Sequence, residues 1–315
     1  MSTVIQARNL QKHFGRVRAL DGLDLDVHTG EVHGFLGPNG AGKSTTIRIL
    51  LGLARPTAGD ATVFGQNPRA DAVGIHARLA YVPGDVSLWP NLTGGEAIDL
   101  LSRLRGIRNR TEYEARKRHL LEVFELDPSK KGRTYSKGNR QKVALVAAFA
   151  VPAELYLLDE PTSGLDPLME AVFRNELLER VADGATVLLS SHILSEVEQL
   201  CSRVSIIRAG RRVEEGTLTD LRRLTRTEVT FAMADLSEAD LAGIPGASDL
   251  RVERGRATFT ADSTSLVDAL PALAALRVQG LTIAPPSLEE LFLRHYGDAA
   301  ENRSEVHARH ARSAG

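Results

Sequence analysis

Cysteine is almost missing from this chain: Cys201 stands alone among 315 residues. A single thiol excludes an internal disulfide framework and suits a reducing compartment. Excess charge of either sign is missing too, since 39 Lys and Arg meet 40 Asp and Glu for a formal net charge of −1. That balance argues against a nucleic-acid binder working by bulk electrostatics. No N-terminal apolar segment resembles a secretory signal. The most apolar run, Val143 to Leu158, is interrupted by Pro152 and Glu154, so no transmembrane helix is expected and any membrane role has to come through a partner. What remains is an ordinary globular composition, 43% apolar, with room for one large domain or a large and a small one.

The stretch that organises the rest is Gly37-Pro38-Asn39-Gly40-Ala41-Gly42-Lys43-Ser44-Thr45. It matches the phosphate-binding loop G-x-x-x-x-G-K-[ST] at every fixed position. Val32 to Leu36 before it reads as a buried strand, and Thr46 to Leu51 after it reads as a helix. A strand feeding a glycine loop that opens a helix aims backbone N–H groups and the positive helix end at one point. Lys43 is placed to reach the β- and γ-phosphates, and the Ser44 hydroxyl to ligate Mg²⁺. An ordinary glycine-rich turn is the bland alternative; the Gly42-Lys43-Ser44 triplet in its strand–helix setting disfavours it. A nucleoside triphosphate is the expected ligand.

Around the loop, strands are expected at Val4–Leu10, Ala19–Val27, Asp60–Phe64 and Leu79–Pro83. Leu88 to Ala150 turns helical, with apolar residues at helical spacing in Glu96–Leu104 and Glu112–Phe124. Arg103, Arg105, Arg108 and Arg110 near Gly106 read as a solvated turn between helices. Leu155–Glu160 and Thr186–Ser190 are apolar strands, and Val204–Arg208 with Arg211–Glu215 reads as a hairpin. This alternation points to an α/β sheet with helices packed on it. After Arg223 the composition shifts. Val229–Met233, Leu236–Leu241, Leu250–Glu253, Ala257–Ala261, Ser265–Leu276 and Leu281–Ala284 follow the strand and helix order of a split β-α-β unit. Ser287–Tyr296 reads as a closing amphipathic helix, and the polar, aperiodic tail as disordered.

Asp159 ends a buried strand, where a carboxylate can hold the Mg²⁺ shell. Glu160 follows, where a carboxylate can orient or deprotonate an attacking water. Two acids at an ordinary strand end are the bland reading, which the phosphate loop disfavours. Ser163-Gly164-Leu165-Asp166 comes next. Ahead of the acids, Tyr135-Ser136-Lys137-Gly138-Asn139 opens an alanine-rich helix, and Ser and Gly at a helix start make a second anion-binding feature. Two such features with only one phosphate loop suggest that two chains share each nucleotide. His192, just past a strand end, is available to a γ-phosphate; on its own, a histidine there is usually structural.

From about Val4 to Gly216, this order of motifs resembles the ATP-binding cassette ATPases of membrane transporters. The resemblance implies an α/β P-loop NTPase fold with a helical subdomain, plus a small α+β C-terminal domain. The expected divisions are an ATPase domain over residues 1–222, its helical subdomain at about 88–150, an accessory domain over 223–297 and a disordered tail over 298–315. It implies ATP and Mg²⁺ as cofactors, with Phe14 stacking on adenine and Gly37 to Thr45 holding the phosphates. Asp159 would hold magnesium, Glu160 the water and His192 the γ-phosphate. Ser136 and Gly138 would complete the opposing subunit's site, and Asp166 would couple the two sites.

Two departures stand out. The usual Leu-Ser-Gly-Gly-Gln is replaced at Tyr135, Lys137 and Asn139, with Lys137 either adding charge near the γ-phosphate or projecting into solvent. After Tyr81-Val82-Pro83 the family has a Gln; here it is Gly84, and Asp85 either inherits part of the Mg²⁺-linked role or simply ends a turn. Pro286 to Phe292, the Tyr-Ser-Lys-Gly-Asn run and the Pro-Gly-Asp turn resemble the drug- and antibiotic-exporting branch, including members linked with polyketide-antibiotic efflux. The expectation is an exporter's ATPase subunit, a head-to-tail homodimer held at the cytoplasmic membrane face by a separately encoded permease. It would touch neither nucleic acid nor the transported compound. The rivals are a soluble cassette ATPase acting on DNA or ribosomes, which the lack of sustained heptads in Leu88–Ala150 and the single cassette disfavour, and a regulatory module that binds ATP without turnover, which Asp159-Glu160 disfavours.

Overall fold

The computed structural model describes residues 2–223, 227–232, 243–253, 255–261 and 265–284. The chain divides into two compact units, Met1–Gly216 and Thr217–Gly315.

In the first unit, β1 (Thr3–Phe14) and β2 (Val17–His28) form a long antiparallel hairpin, and β4 (Ala58–Val63) pairs with the other edge of β1. Both hairpin strands run past the expected limits, so that Phe14 stands beside the turn rather than in a loop after the strand. The second sheet is built from β3 (Val32–Leu36), β5 (Leu79–Val82), β6 (Leu155–Asp159), β7 (Thr186–Ser191), β8 (Arg203–Arg208) and β9 (Arg211–Thr217), in the order β5-β6-β7-β3-β8-β9. The pairs from β5 through β8 are parallel. Every residue of β3, β6 and β7 is buried, which explains why these strands are mainly apolar on both faces instead of alternating. Leu10, Leu25, Phe35, Leu157 and Leu188 from the two sheets share one core with Ile47 and Leu50 of α1 (Lys43–Leu50).

Parallel register sets the functional edge. Leu36 pairs with Ser191 and Asp159 with Ser190, so β3, β6 and β7 end side by side. The residues that follow them, the phosphate loop, Glu160 and His192, are therefore delivered to the carboxyl edge of the sheet, where open α/β sheets bind ligands.

Helices α2 (Ala72–His76), α3 (Gly94–Arg105), α4 (Arg110–Val123), α5 (Lys137–Phe149), α6 (Pro167–Ala182) and α7 (Leu194–Leu200) complete the unit. Thr93 and Glu96 form a capping box on α3, and Asn109 accepts from Thr111 N and Glu112 N to start α4. Arg105 departs from the solvated-turn reading. Its guanidinium donates to the carbonyls of Ala148 at 2.8 Å and Val151 at 2.7 Å, with Pro152 at 3.1 Å and Ala147 at 3.4 Å. It satisfies the otherwise orphaned carbonyls at the end of α5, and burial there pushes its pKa down.

The second unit holds α8 (Leu218–Arg223), β10 (Thr227–Ala232), β11 (Ser248–Glu253), β12 (Arg256–Ala261), α9 (Leu266–Ala275) and β13 (Gln279–Ala284). Its sheet runs β11-β12-β10-β13 with every neighbouring pair antiparallel, the strand order of a split β-α-β unit. Val229, Phe231 and Phe259 pack with Ala269 and Leu273 of α9. The expected helices at Leu236–Leu241 and Ser287–Tyr296, Met233 at a strand end, and the tail over 298–315 lie outside the described residues. Among the described residues, no helix is long and apolar enough to cross a membrane.

Candidate active site

The phosphate loop opens α1 at Lys43 with Gly42 as its N-cap, at φ +114° and without a side-chain cap. A Cβ on Gly42 would also come within 2.7 Å of the Ala19 carbonyl, so both conformation and space require glycine. The first-turn N–H groups are left without intrahelical partners, as an anion site needs. Thr46 is drawn back into the helix, its hydroxyl donating to the Gly42 carbonyl at 3.0 Å. Ser44 is exposed and Thr45 half-buried at the helix start.

Lys43 is buried, its side chain 5% exposed. Its Nζ donates to the Gly37 carbonyl at 2.6 Å and to that of Pro38 at 3.3 Å, and lies 3.7 Å from Glu160 Oε1. Burial holds this ammonium below the usual lysine pKa, while Glu160 and Asp159 pull the other way. Asp159 is buried at the end of β6, with Ser190 Oγ donating to its Oδ1 at 2.9 Å.

Glu160 has φ +49°, unusual for a residue with a side chain. Its N–H donates to the Ser190 carbonyl at 2.9 Å, and its own carbonyl accepts from Ser163 N at 3.1 Å. Those bonds turn the chain sharply beyond β6 and hold the side chain over the loop. His192 Nδ1 approaches the same Oε1 to 3.2 Å. One carboxylate oxygen thus lies between the loop lysine and the histidine, and the convergence expected of these three residues is present in a single chain.

Ser136, Gly138 and Asp166 are placed elsewhere. Ser136 caps α5, its Oγ accepting from Asn139 N at 3.3 Å. Gly138 lies under the Gly164 carbonyl, which a Cβ would approach to 2.5 Å. Asp166 caps α6, accepting from Met169 N at 3.0 Å. Among the described residues, none of the three hydrogen-bonds to the phosphate loop. Lys137 is exposed, yet it does not simply project into solvent: Nζ donates to Ser163 Oγ at 2.8 Å, tying the start of α5 to the turn before Asp166. Phe14 is 52% exposed, with Lys12 Nζ 4.8 Å from its ring centroid; its ring is free to take a planar partner.

Gly84 and Asp85 lie beside the acids. Gly84 is not in the left-handed region, but a Cβ there would come within 3.1 Å of the Asp159 carbonyl. Asp85 is exposed and hydrogen-bonds to no other described residue.

Gln141, and the packing role of Tyr135, were missed by sequence reasoning and join the parts. Gln141 is 1% exposed, and its Nε2 donates to the Pro161 carbonyl at 2.8 Å, linking α5 to the Glu160 turn. Tyr135 is buried, and its hydroxyl donates to the Asp127 carbonyl at 2.5 Å. A Cβ on Gly94 would come within 2.2 Å of that hydroxyl, so Tyr135 occupies space that glycine leaves open at the start of α3.

The sequence matches the ABC transporter family over residues 20–163. It is 36% identical to the daunorubicin resistance ATP-binding protein DrrA3 of Streptomyces coeruleorubidus, across 94% of this chain and 96% of that one. It is 32% identical to the linearmycin resistance ATP-binding protein LnrL of Bacillus subtilis (strain 168), across 93% of this chain and 98% of that one. The fold is similar to the dimeric structure of MJ0796, a bacterial ABC transporter cassette, with a TM-score of 0.61 and 25% identity over 68% of this chain and 98% of that one. Site geometry, fold and full-length relatives agree, and the chain belongs to the ABC transporter family.

Proposed function

We propose that this ATPase powers efflux of antibiotic-class compounds through a separately encoded membrane permease, working as a head-to-tail dimer. The observation that carries the hydrolytic reading is the meeting of Lys43, Glu160 and His192 at one carboxylate oxygen. Lys43 and the free N–H groups of α1 hold the phosphates. Phe14 stacks on adenine. Glu160 accepts a proton from the attacking water, and His192, in contact with Glu160, orients the γ-phosphate side of the site. The daunorubicin and linearmycin resistance relatives support export and the antibiotic class.

The residues present suit Mg²⁺. Among the described residues there is no cluster of three or more His, Cys, Asp or Glu that would cage a metal, whereas a buried carboxylate and an exposed serine hydroxyl flank the loop. Mg²⁺ favours such sparse oxygen ligation completed by phosphate and water. Ser44 and Asp159 would hold it, and it would neutralise charge on the phosphates. Asp85, the exposed residue after Gly84, would hold a metal-bound water.

Ser136 and Gly138 lie on α5, away from their own chain's loop contacts, which suits a site completed by a second copy; the dimeric cassette of similar fold supports that arrangement. Asp166 would couple the two sites. The permease holds the subunit at the cytoplasmic face of the membrane. Deleting the gene should sensitise its host to polyketide antibiotics and abolish their efflux, with wild-type protein restoring both and Glu160→Gln restoring neither. Unchanged susceptibility and efflux after deletion would count against the export reading.

A further inference from the structure

The turn after β6 that carries Glu160 is held from two sides. On the sheet side, the Glu160 N–H donates to the Ser190 carbonyl of β7 at 2.9 Å. Within the turn, Ser163 N donates to the Glu160 carbonyl at 3.1 Å, and Leu165 N to the Thr162 carbonyl at 2.9 Å. Pro161 lies between them and has no N–H to offer, so its carbonyl is its one backbone group that can be tied. The partner is a side chain: Gln141 Nε2 donates to that carbonyl at 2.8 Å in a buried contact. Gln141 is 1% exposed, and it is the one polar residue among the buried residues of α5. A buried amide is costly unless hydrogen-bonded, so a glutamine at this position needs its partner in the Glu160 turn.

We infer that Gln141 is a positioning residue for hydrolysis: its amide fixes the turn that carries Glu160 to the first turns of α5. The inference rests on the role given above to Glu160. That residue is held at φ +49°, and such strain persists only where the surroundings over-determine it. The anchor at Pro161 is the next residue in the chain, and it comes from a different element than the anchor at Ser190. Together they set where the carboxylate stands relative to Lys43 and His192, which lie 3.7 and 3.2 Å from its Oε1. The start of α5 meets the same turn at two further points. Lys137 Nζ donates to Ser163 Oγ at 2.8 Å, and a Cβ on Gly138 would come within 2.5 Å of the Gly164 carbonyl. The three contacts are unequal. The lysine bond is exposed, where water competes for both groups and the net gain is small. Gly138 allows a close approach but makes no side-chain bond. Gln141 makes the buried bond, and removing its amide leaves a buried acceptor without a partner.

The test is steady-state ATPase kinetics with ATP-binding titration and melting on the full chain, comparing Gln141→Met, Gln141→Ala, Asn109→Ala, Glu160→Gln and the Gln141→Met/Glu160→Gln pair. Rates are taken per titrated ATP site, so a variant that folds poorly still reports the turnover of its folded fraction. Gln141→Met keeps the length of the side chain and deletes the donor; Gln141→Ala deletes it without crowding. Both should lower kcat about 10- to 100-fold, the range expected when a reacting group shifts by about an ångström, while ATP affinity holds. Asn109→Ala uncaps α4, so it should lower the melting temperature and keep kcat. In the Glu160→Gln background, Gln141→Met should cost nothing further, because residues acting as a unit are non-additive. Normal kcat in both Gln141 variants, beside an impaired Glu160→Gln, would overturn the role of Gln141 alone. So would a loss of ATP affinity at unchanged kcat, a full additional loss in the double variant, or an equal loss of kcat in Asn109→Ala. Normal turnover in Glu160→Gln would overturn the role of Glu160 and this inference with it.

Discussion

Glu160 is held at φ +49°, a conformation that costs a residue with a Cβ about 1–2 kcal/mol. Strain of this kind persists where surrounding bonds over-determine it, and it clusters at functional sites; here the Ser190 carbonyl and Ser163 N–H do the holding. Comparing Glu160→Gly with Glu160→Ala isolates that strain, since both delete the carboxylate. The glycine variant should be the more stable by about 1 kcal/mol in denaturant melts, with both inactive; equal stabilities would mean the backbone is relaxed. Individual site residues were legible in the sequence because phosphate chemistry demands particular types at fixed spacing: Lys43, Asp159, Glu160 and His192 gather as expected. Gly84 was legible only as a departure. That an added Cβ at Gly84 would crowd the Asp159 carbonyl at 3.1 Å depends on two strands distant in sequence.

At the scale of elements, the helices around the site are set by single polar side chains. Asp166 starts α6 by accepting from Met169 N, with Pro167 at the first helical position, where its missing N–H costs nothing. Asp166→Ala should lower stability by about 1 kcal/mol, while Asp166→Ser keeps an acceptor and should melt like wild type. If Asp166 also couples two sites, Asp166→Ser should still lose turnover at unchanged melting temperature; wild-type turnover would confine Asp166 to capping. The buried strands were easily read, because burial on both faces leaves a nearly continuous apolar run. Arg105 was misread for the opposite reason: nothing local distinguishes an arginine bound for solvent from one whose acceptors, Ala148 and Val151, lie more than forty residues on. Lys137 is a similar case, its Ser163 partner arriving from across the chain.

For the molecule as a whole, the α/β class was legible from alternating strands and helices, whereas the division into an antiparallel three-stranded sheet and a six-stranded, mainly parallel one was not. Sheet order depends on crossovers that local pattern does not encode. The order β11-β12-β10-β13 of the second unit was legible because a hairpin flanked by two crossovers has few ways to close. The whole account turns on Glu160 as the base that lets bound ATP be hydrolysed, and Glu160→Gln is the most direct trial of it. ATP turnover, ATP affinity and size-exclusion behaviour should be measured on one preparation of that variant beside wild type. Turnover should fall by about 10²-fold or more, because an amide cannot take the water's proton, while ATP binding persists and an ATP-bound dimer accumulates. Near-normal turnover would contradict the assignment and the hydrolytic site built around it.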